Sequence, residues 1–281
     1  MNRFLTQRIG FWLLGFCTLI VVIPILLVIG AIFLKGVAII NWEFLTAMPR
    51  NGMKAGGILP AIVGTLILTL GTAIVAIPMG VGGAIYLSEY ARDSWVTRAI
   101  RLAIINLAGI PSVVYGLFGL GMFVLFLHLG TSILAGSLTL AIMTLPVIIS
   151  ASEEALRAVP VEFRTVNASL GGTHWQGIYQ IVLPQALPGI ITGIILGLMR
   201  AAGETAPILF TVAAFYLPRL PQSPFDQTMA LPYHLFVIST QVPGMPGAIQ
   251  YGTALVLLAL VLSMNLVATT IRSYFRRRRQ W

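Results

Sequence analysis

The sequence predicts an all-α, polytopic integral membrane protein with six transmembrane helices. Hydrophobic residues make up 58% of the chain and charged residues only 9%, whereas a soluble domain carries roughly 25% charged residues. Six apolar runs approach or exceed the ~20 residues that a helix needs to cross a hydrocarbon core of ~30 Å. The runs are Ile9–Leu34, Ile58–Leu87, Ala99–Leu127, Ser132–Ile149, Leu187–Leu217 and Tyr251–Ile271. A soluble fold is therefore excluded.

The first run is expected to stay in the membrane as a helix. It is longer than the apolar region of a signal peptide and ends at Lys35 without a small-residue cleavage site. The single cysteine, Cys17, lies inside this run, which excludes a disulfide, a CxxC motif and a thiolate metal site within the chain. His128, His174 and His234 have no metal-ligand spacing. We therefore predict no metal site, and no set of residues suggests catalysis.

The net charge of +9 predicts the orientation of the chain rather than binding to nucleic acid. Basic residues concentrate on the cytoplasmic side of membrane proteins, and a cytoplasmic N-terminus places most of the 17 lysines and arginines on that side. These are Arg3, Arg8, Arg92, Arg98, Arg101, Arg157, Arg164, Arg272 and Arg276–Arg279. The outer loops then carry Lys35, Arg50, Lys54 and Arg219. Both termini are expected in the cytoplasm, with Arg276–Arg279 as an anchor that contacts anionic membrane lipids.

The connections between the runs differ in length. Little more than Gly130–Thr131 joins runs three and four, which predicts a tight helical hairpin at the outer face. Two connections are longer, an inner one over residues 150–186 and an outer one over residues 218–250. The outer connection is rich in proline and has an apolar middle, Met229–Val242. That middle is either an interfacial segment that dips partway into the membrane or an ordered surface loop.

The inner connection predicts short helices separated by a glycine hinge. Ser152 is suited to cap a first helix, and Pro160 to begin a second that Gly171–Gly172 ends. Thr173 is suited to cap a third helix that stops at Pro184. The apolar side chains of this connection are too many for a solvated loop. They require a partner surface, either the underside of the membrane domain or another protein.

The spacing of Gly171, Ile181, Leu183 and Pro184 resembles the cytoplasmic signature of ABC-importer permeases. That signature is an EAA triplet, three residues, glycine, nine residues, isoleucine, any residue and Leu-Pro. The triplet departs from the pattern, because residues 165–167 read Thr-Val-Asn. The resemblance assigns coupling to an ATPase to this segment. The residues carried over are Thr165, Asn167, Gly171, Ile181, Leu183 and Pro184.

Two further segments resemble phosphate-importer permeases of the PstA type. They are INLAGIPSVVYGLFGLG (Ile105–Gly121) and RAAGETAPILF (Arg200–Phe210), and the similarity covers roughly the last two-thirds of the chain. It implies the MetI-like fold of type I ABC importers. It also implies a non-catalytic subunit that forms half of a phosphate pathway and alternates access as ATPases close beneath it. No domain boundary is visible in the sequence, so we expect one membrane domain, with an N-terminal transmembrane helix and outer loop (1–57) followed by a five-helix core (58–281) that contains the cytoplasmic coupling loop at about 150–186.

The same resemblance implies the partners. These are a homologous second permease, two ATP-binding-cassette ATPase subunits and an extracytoplasmic phosphate-binding protein, all at a bacterial or archaeal plasma or inner membrane. The residues themselves require an external energy source, because Lys35 and Lys54 are the only lysines and neither lies in a GxxxxGK[ST] loop. We therefore expect no cofactor in this chain, with ATP bound by the partner subunit.

The fifth run contains two ionisable residues, Arg200 and Glu204. Arg200 follows Pro188 by twelve residues, or ~18 Å along a helix, so both are expected inside the membrane at a cost of ~2.5–3.5 kcal/mol each. Their i, i+4 spacing allows them to pair on one helix face. Gly203 and Pro207 allow a break in the helix that directs backbone groups toward a cavity.

Two interpretations of this pair remain open. One is a structural ion pair, and the other is an anion pathway in which Arg200 offers its donor fork to phosphate oxygens. The resemblance favours the pathway, to which we also assign Thr205 and Ser112. Glu204 would accept the P–OH proton of phosphate and repel sulfate, which has none. Arg101, at the inner end of run three, is expected to extend to the lipid headgroups.

Two other functions remain open. The chain could be an ABC permease for another oxyanion, such as sulfate, molybdate or phosphonate. It could also be a transporter driven by an ion gradient.

Overall fold

The computed structural model describes residues 3–169 and 171–277, which are mostly helical. The α-helices are α1 (Arg3–Gly36), α2 (Trp42–Thr46), α3 (Leu59–Ile85), α4 (Trp95–Ala108), α5 (Ser112–Gly119), α6 (Ile133–Arg157), α7 (Val161–Ser169), α8 (His174–Gly177), α9 (Leu183–Gly203), α10 (Ala206–Thr211), α11 (Leu231–Thr240) and α12 (Gly247–Arg277). A short antiparallel pair, β1 (Pro49–Arg50) and β2 (Ala55–Gly56), follows α2. Helix α6 lies at the centre, with α3 and α9 packed against it.

Five helical segments are long and apolar enough to cross a membrane among the described residues, and a bent pair makes a sixth. The five are Gly10–Ile39, Leu59–Tyr90, Ile133–Arg157, His174–Gly203 and Gly247–Tyr274. Three π-helical segments follow α3, α5 and α8, and they are Tyr86–Tyr90, Leu120–Phe126 and Ile178–Val182. The structure therefore agrees with six crossings when the bent pair counts as one span.

The third predicted span is broken rather than straight. Helix α4 ends at Ala108, α5 begins at Ser112, and the two axes meet at 104°. Pro111 causes the break, because its extended backbone (ψ 140°) and missing N–H cannot continue a helix. A proline also disfavours helical backbone at the residue before it. The expectation of one continuous helix over Ala99–Leu127 is therefore wrong.

The fifth predicted span has different ends from those expected. The helix begins at His174 and stops at Gly203. Glu204 is extended (ψ 138°), and α10 then starts afresh at Ala206 with Pro207 in its first turn. The break that glycine and proline allowed in the sequence is thus present. The continuous run predicted over Leu187–Leu217 is not.

Two helix ends predicted in the inner connection are also wrong. Ser152 does not begin a helix, since it is fully buried inside α6, which continues to Arg157. Pro184 does not end one, because the helix continues through it from the π turn Ile178–Val182 into α9. The π turn Ile178–Val182 leads directly from α8 into α9. The predicted third helix and the fifth span are one helix.

The remaining connection forms what we call the α7–α8 hairpin, which is α7, α8, the turn between them and the π turn Ile178–Val182. Thr173 caps α8 as predicted, and its hydroxyl accepts the N–H of Gln176 in a capping box. Gly171 provides the hinge at φ +76°, a backbone conformation that favours glycine. Leu170, which precedes Gly171 in the sequence, lies outside the described residues, as do Arg278 and Arg279 of the predicted anchor.

The middle of the long connection after α10 is part of the core. Helix α11 packs against α3 and α12. Leu231, His234 and Val237 on α11 are buried, and the Leu231 N–H donates to the Thr65 hydroxyl of α3 at 2.8 Å. The surface-loop interpretation of Met229–Val242 is therefore wrong.

Helix α1 differs from the other long helices, since the side chains of its apolar segment are not buried within the chain. Helix α1 packs mainly on α12, near the C-terminal end of α1. There Lys35 places its ammonium 5.0 Å from the centre of the Tyr251 ring. The remaining surface of α1 is available to lipid or to another membrane protein. The division of the chain at residue 57 stays a prediction.

Candidate functional site

The two ionisable residues predicted inside the fifth span lie on either side of the α9 end. Arg200 belongs to the last turn of α9, and Glu204 is the first residue beyond it. The Arg200 Nε donates to Glu204 Oε1 at 3.3 Å, which confirms the i, i+4 pairing. The Glu204 side chain is only 17% exposed, whereas that of Arg200 is 35% exposed. The pair therefore leaves part of the guanidinium accessible.

The broken third span packs against this region. Helices α5 and α10 are in close contact at Gly116, where an added Cβ would lie 2.9 Å from the Ala206 carbonyl oxygen. One residue earlier, the buried Tyr115 hydroxyl donates to the Leu107 carbonyl oxygen at 2.8 Å and so joins the two arms of the bend. The two interrupted spans thus meet beside the ion pair.

The other two predicted pathway residues lie at the starts of the short helices. Thr205 occupies the N-cap position of α10, directly after Glu204. Ser112 is the first residue of α5, one turn before Gly116, and is half-buried. Among the described residues no hydrogen bond joins Ser112 to Arg200 or Glu204. The structure thus brings three of the four predicted residues together.

Little free space adjoins Glu204 in this conformation. A cavity of about 10 Å³ lies beside it, lined by residues of α3, α6, α9, α10 and α11. That volume holds at most about one water molecule. Passage of a larger anion past Glu204 within this chain therefore requires the helices to separate.

The α7–α8 hairpin is held closed by a side chain of the Thr-Val-Asn triplet. Asn167 Nδ2 donates to the Thr173 carbonyl oxygen at 3.0 Å across the turn. Its amide lies close to Gly172, where an added Cβ would approach Asn167 Oδ1 to 2.3 Å. Thr165 instead bonds within α7, its hydroxyl donating to the Glu162 carbonyl oxygen at 2.8 Å.

The apolar residues of the hairpin divide between the two partner surfaces considered from the sequence. Phe163 and Leu183 pack against the core near the ends of α3 and α6. Val161, Trp175 and Tyr179 remain 57–64% exposed. The two aromatic rings stack with centroids 6.3 Å apart, so the hairpin covers the membrane domain on one side and presents aromatic side chains on the other. Ile181 and Pro184 are half-buried within the long helix.

Known proteins decide the family. A family model for the inner membrane component of binding-protein-dependent transport systems matches residues 76–281. The chain belongs to this family. The permease is 34% identical over 282 residues to the probable ABC transporter permease protein YqgI of Bacillus subtilis, an alignment that covers 95% of each chain.

Two further relatives have names that state their transport system. The phosphate transport system permease protein PstA 1 of Mycobacterium tuberculosis is 38% identical over 228 residues, which cover 80% of the permease and 73% of that protein. The probable phosphate transport system permease protein PstA of Methanocaldococcus jannaschii is 33% identical over 264 residues. That alignment covers 93% of the permease and 92% of the relative.

Solved structures confirm the predicted fold class, an all-α permease of the type I ABC-importer kind. A chain of the inward-facing MetNI methionine ABC transporter has a TM-score of 0.64 at 15% identity, covering 78% of the permease and 95% of that chain. A chain of a bacterial transporter that imports alginate has a TM-score of 0.69 at 15% identity, covering 97% and 99%. Family membership makes the permease a non-catalytic membrane subunit, with the ATPase a separate chain.

Two ion-pair clusters of the permease were not predicted from the sequence. Glu89, at the end of the π turn after α3, pairs with Arg164 of α7. Glu153 Oε1 of α6 accepts a hydrogen bond from Arg101 Nε at 2.8 Å and forms a salt bridge with Arg157 Nη2 at 2.8 Å. The expectation that Arg101 extends to the lipid headgroups is therefore wrong, because a carboxylate within reach satisfies its charge. Only the Arg157 pairing has a local sequence signal, the i, i+4 spacing.

Proposed function

We propose that this permease forms half of the translocation pathway of an ATP-driven phosphate importer. One observation carries the proposal, namely that the Arg200–Glu204 pair lies where two interrupted spans meet. Interrupted helices inside a membrane expose backbone groups only where protein or a water-filled path can satisfy them. Relatives named as phosphate permeases, at 33–38% identity, support phosphate as the anion.

The chemistry of the pair suits a protonated oxyanion. Arg200 retains accessible guanidinium donors, which match the geometry of phosphate oxygens. Glu204 accepts a hydrogen bond from the P–OH group that phosphate keeps at neutral pH. Sulfate carries no such proton, so the carboxylate repels it. We assign Thr205 and Ser112, at the starts of α10 and α5, to the same route, and the ion pair holds the Glu204 side chain in place.

The assembly follows from the permease family, which works with ATPase and substrate-binding subunits. We assign to it two ATP-binding-cassette subunits, a homologous second permease and an extracytoplasmic phosphate-binding protein. The basic residues orient both termini and the α7–α8 hairpin toward the cytoplasm. The exposed aromatic residues Trp175 and Tyr179 then face an ATPase. The hairpin residues carried over from the signature, Thr165, Asn167 and Gly171, shape that surface, while Ile181, Leu183 and Pro184 join it to the long helix.

Uptake of labelled phosphate tests this function. Cells that lack the chain should recover uptake with the wild type but not with Glu204→Gln, which loses the proton-accepting carboxylate. A hydrogen bond to a charged group contributes ~1.5–3 kcal/mol, so we expect uptake to fall about tenfold or more. Glu43→Gln is the matched control, since Glu43 pairs with Arg50 at 3.7 Å on the exposed surface.

Three results would contradict the proposal. If Glu204→Gln leaves phosphate uptake and sulfate exclusion both intact, Glu204 has no part in selectivity. If the wild type restores uptake of labelled sulfate, molybdate or phosphonate instead, the anion is wrong. If uptake survives ATP depletion at a constant membrane potential, the transporter is driven by an ion gradient.

A further inference from the structure

A buried carboxylate fastens the α7–α8 hairpin to the end of the second span. Glu89 has a side chain only 4% exposed, at the end of the π turn that extends α3. Arg164 of α7 contacts both of its oxygens, with Nη2 to Oε1 at 3.0 Å and Nε to Oε2 at 3.3 Å. Ser88 donates its hydroxyl to Oε1 at 2.9 Å. Two parallel charge-assisted bonds of this kind are strong and fix the orientation of both groups.

The same guanidinium also contacts the end of the fourth span. Arg164 Nη1 donates to the Val159 carbonyl oxygen at 2.6 Å, and Nη2 donates to the Leu156 carbonyl oxygen at 3.0 Å. Leu156 belongs to the last turn of α6, where carbonyl oxygens lack intrahelical partners. One side chain of α7 therefore connects the hairpin to both α3 and α6, the two helices at the centre of the permease.

The second arm of the hairpin reaches the same place. A ring nitrogen of His174, at the start of α8, donates to the Glu89 carbonyl oxygen at 3.1 Å. The Tyr90 ring meets the His174 ring edge-on, with centroids 5.1 Å apart. The residues on both sides of the Gly171 hinge thus contact the end of α3. Glu89 is the point at which the two arms converge.

We propose that the Glu89–Arg164 pair is the joint that transmits movement of the α7–α8 hairpin to α3 and α6. This rests on the proposed function, in which an ATPase moves the hairpin. Separating the pair would leave a buried carboxylate without a counter-charge, so α7 and α3 move together rather than sliding apart. Thr165, at the position of the signature's glutamate, donates its hydroxyl to Glu162 within α7, and within the part of the chain that the structure describes Arg164 is the charged residue of α7 that pairs with α3. Both are positioning residues and contact no substrate.

The test measures ATP hydrolysis and phosphate uptake separately in the full importer reconstituted into liposomes. Glu89→Gln keeps the shape of the side chain but removes its charge, and Arg164→Lys keeps the charge but removes the fork. We expect either variant to hydrolyse ATP at a rate near wild type while the ATP consumed per phosphate imported rises about tenfold. Arg98→Gln is the control, because Arg98 pairs with Asp93 at 3.5 Å in an exposed surface position.

The ratio distinguishes a joint from a merely structural contact. If the ATP consumed per phosphate imported is unchanged, whether or not both rates fall, the pair only stabilises the fold and the proposal is wrong. Should Glu89→Gln fail to assemble, the double variant Glu89→Gln, Arg164→Gln removes the unpaired charge and must show the raised ratio. A wild-type importer that imports no phosphate with ATP would refute the proposed function instead.

Discussion

At the scale of single residues, the turn of the hairpin depends on the fit between the Asn167 amide and Gly172, which has no side chain. Asn167 bridges the turn to Thr173, and Gly172 leaves the space that the amide fills. The signature of this segment has alanine at the position of Asn167. Asn167 thus replaces a small alanine with a larger side chain, which fits only because Gly172 has none.

This match predicts a compensating pair of substitutions. Gly172→Ala alone should destabilise the permease by about 1–3 kcal/mol, because the added methyl displaces an amide that is held by its own hydrogen bond. Asn167→Ala combined with Gly172→Ala should recover most of that loss. Thermal unfolding of the purified permease in detergent measures both. Gly82→Ala, with no atom within 4 Å of the added methyl, should be close to neutral, and equal effects at both glycines would contradict the prediction.

At the scale of helices, close contact between two short ones holds the candidate pathway together. Helix α5 approaches α10 at Gly116, where an added Cβ would lie 2.8 Å from the Phe210 ring and 3.0 Å from the Pro207 Cα. Backbone atoms cannot rotate away as a flexible side chain can. The distance between α5 and α10 is thus set by the absence of a side chain at Gly116.

Gly116→Ala should therefore separate α5 from α10. We expect a loss of about 1–3 kcal/mol in stability from overpacking, with a larger proportional loss of phosphate uptake because the displaced helices carry Ser112 and Thr205. Gly121→Ala is the matched control in the π turn that continues α5, since nothing lies within 4 Å of its added methyl. Full uptake by Gly116→Ala would show that this contact does not shape the path.

The helices also show what the sequence can and cannot predict. The capping box at Thr173 and the Arg200–Glu204 pair depend on neighbours within four residues, so their spacing in the sequence was sufficient. Glu89 and Arg164 are 75 residues apart. Their contact depends on how the helices pack, as does burial of α11 against Thr65, so neither has a local signal. Gly109 and Pro111 indicated that the third span is irregular, but the presence of these two residues does not distinguish a kinked helix from one that breaks at 104°.

At the scale of the whole molecule, the exposed aromatic pair predicts where a partner subunit binds. Trp175 and Tyr179 are 57% and 61% exposed on the side of the hairpin that faces away from the core. Replacing both with alanine should weaken binding of the ATPase by about 2 kcal/mol or more, as for other aromatic anchors, or roughly thirtyfold. Affinity co-purification and a binding titration with the ATPase measure this loss.

The control is another exposed aromatic residue. Trp95, at the start of α4, is 78% exposed and lies outside the hairpin. Trp95→Ala should leave ATPase binding unchanged, and neither change should alter the unfolding temperature of the isolated permease. If Trp95→Ala weakens binding as much as the double change does, the binding surface extends well beyond the hairpin.

One long helix links the two ends of this molecule. The segment His174–Gly203 is 30 residues long, or about 45 Å at 1.5 Å per residue, with the exposed aromatic pair at one end and Arg200 at the other. It therefore works as a lever arm. A tilt of about 4° at the hairpin displaces the far end of such a rod by about 3 Å. That displacement is comparable with the 3.3 Å between Arg200 Nε and Glu204 Oε1 at the same end of the helix.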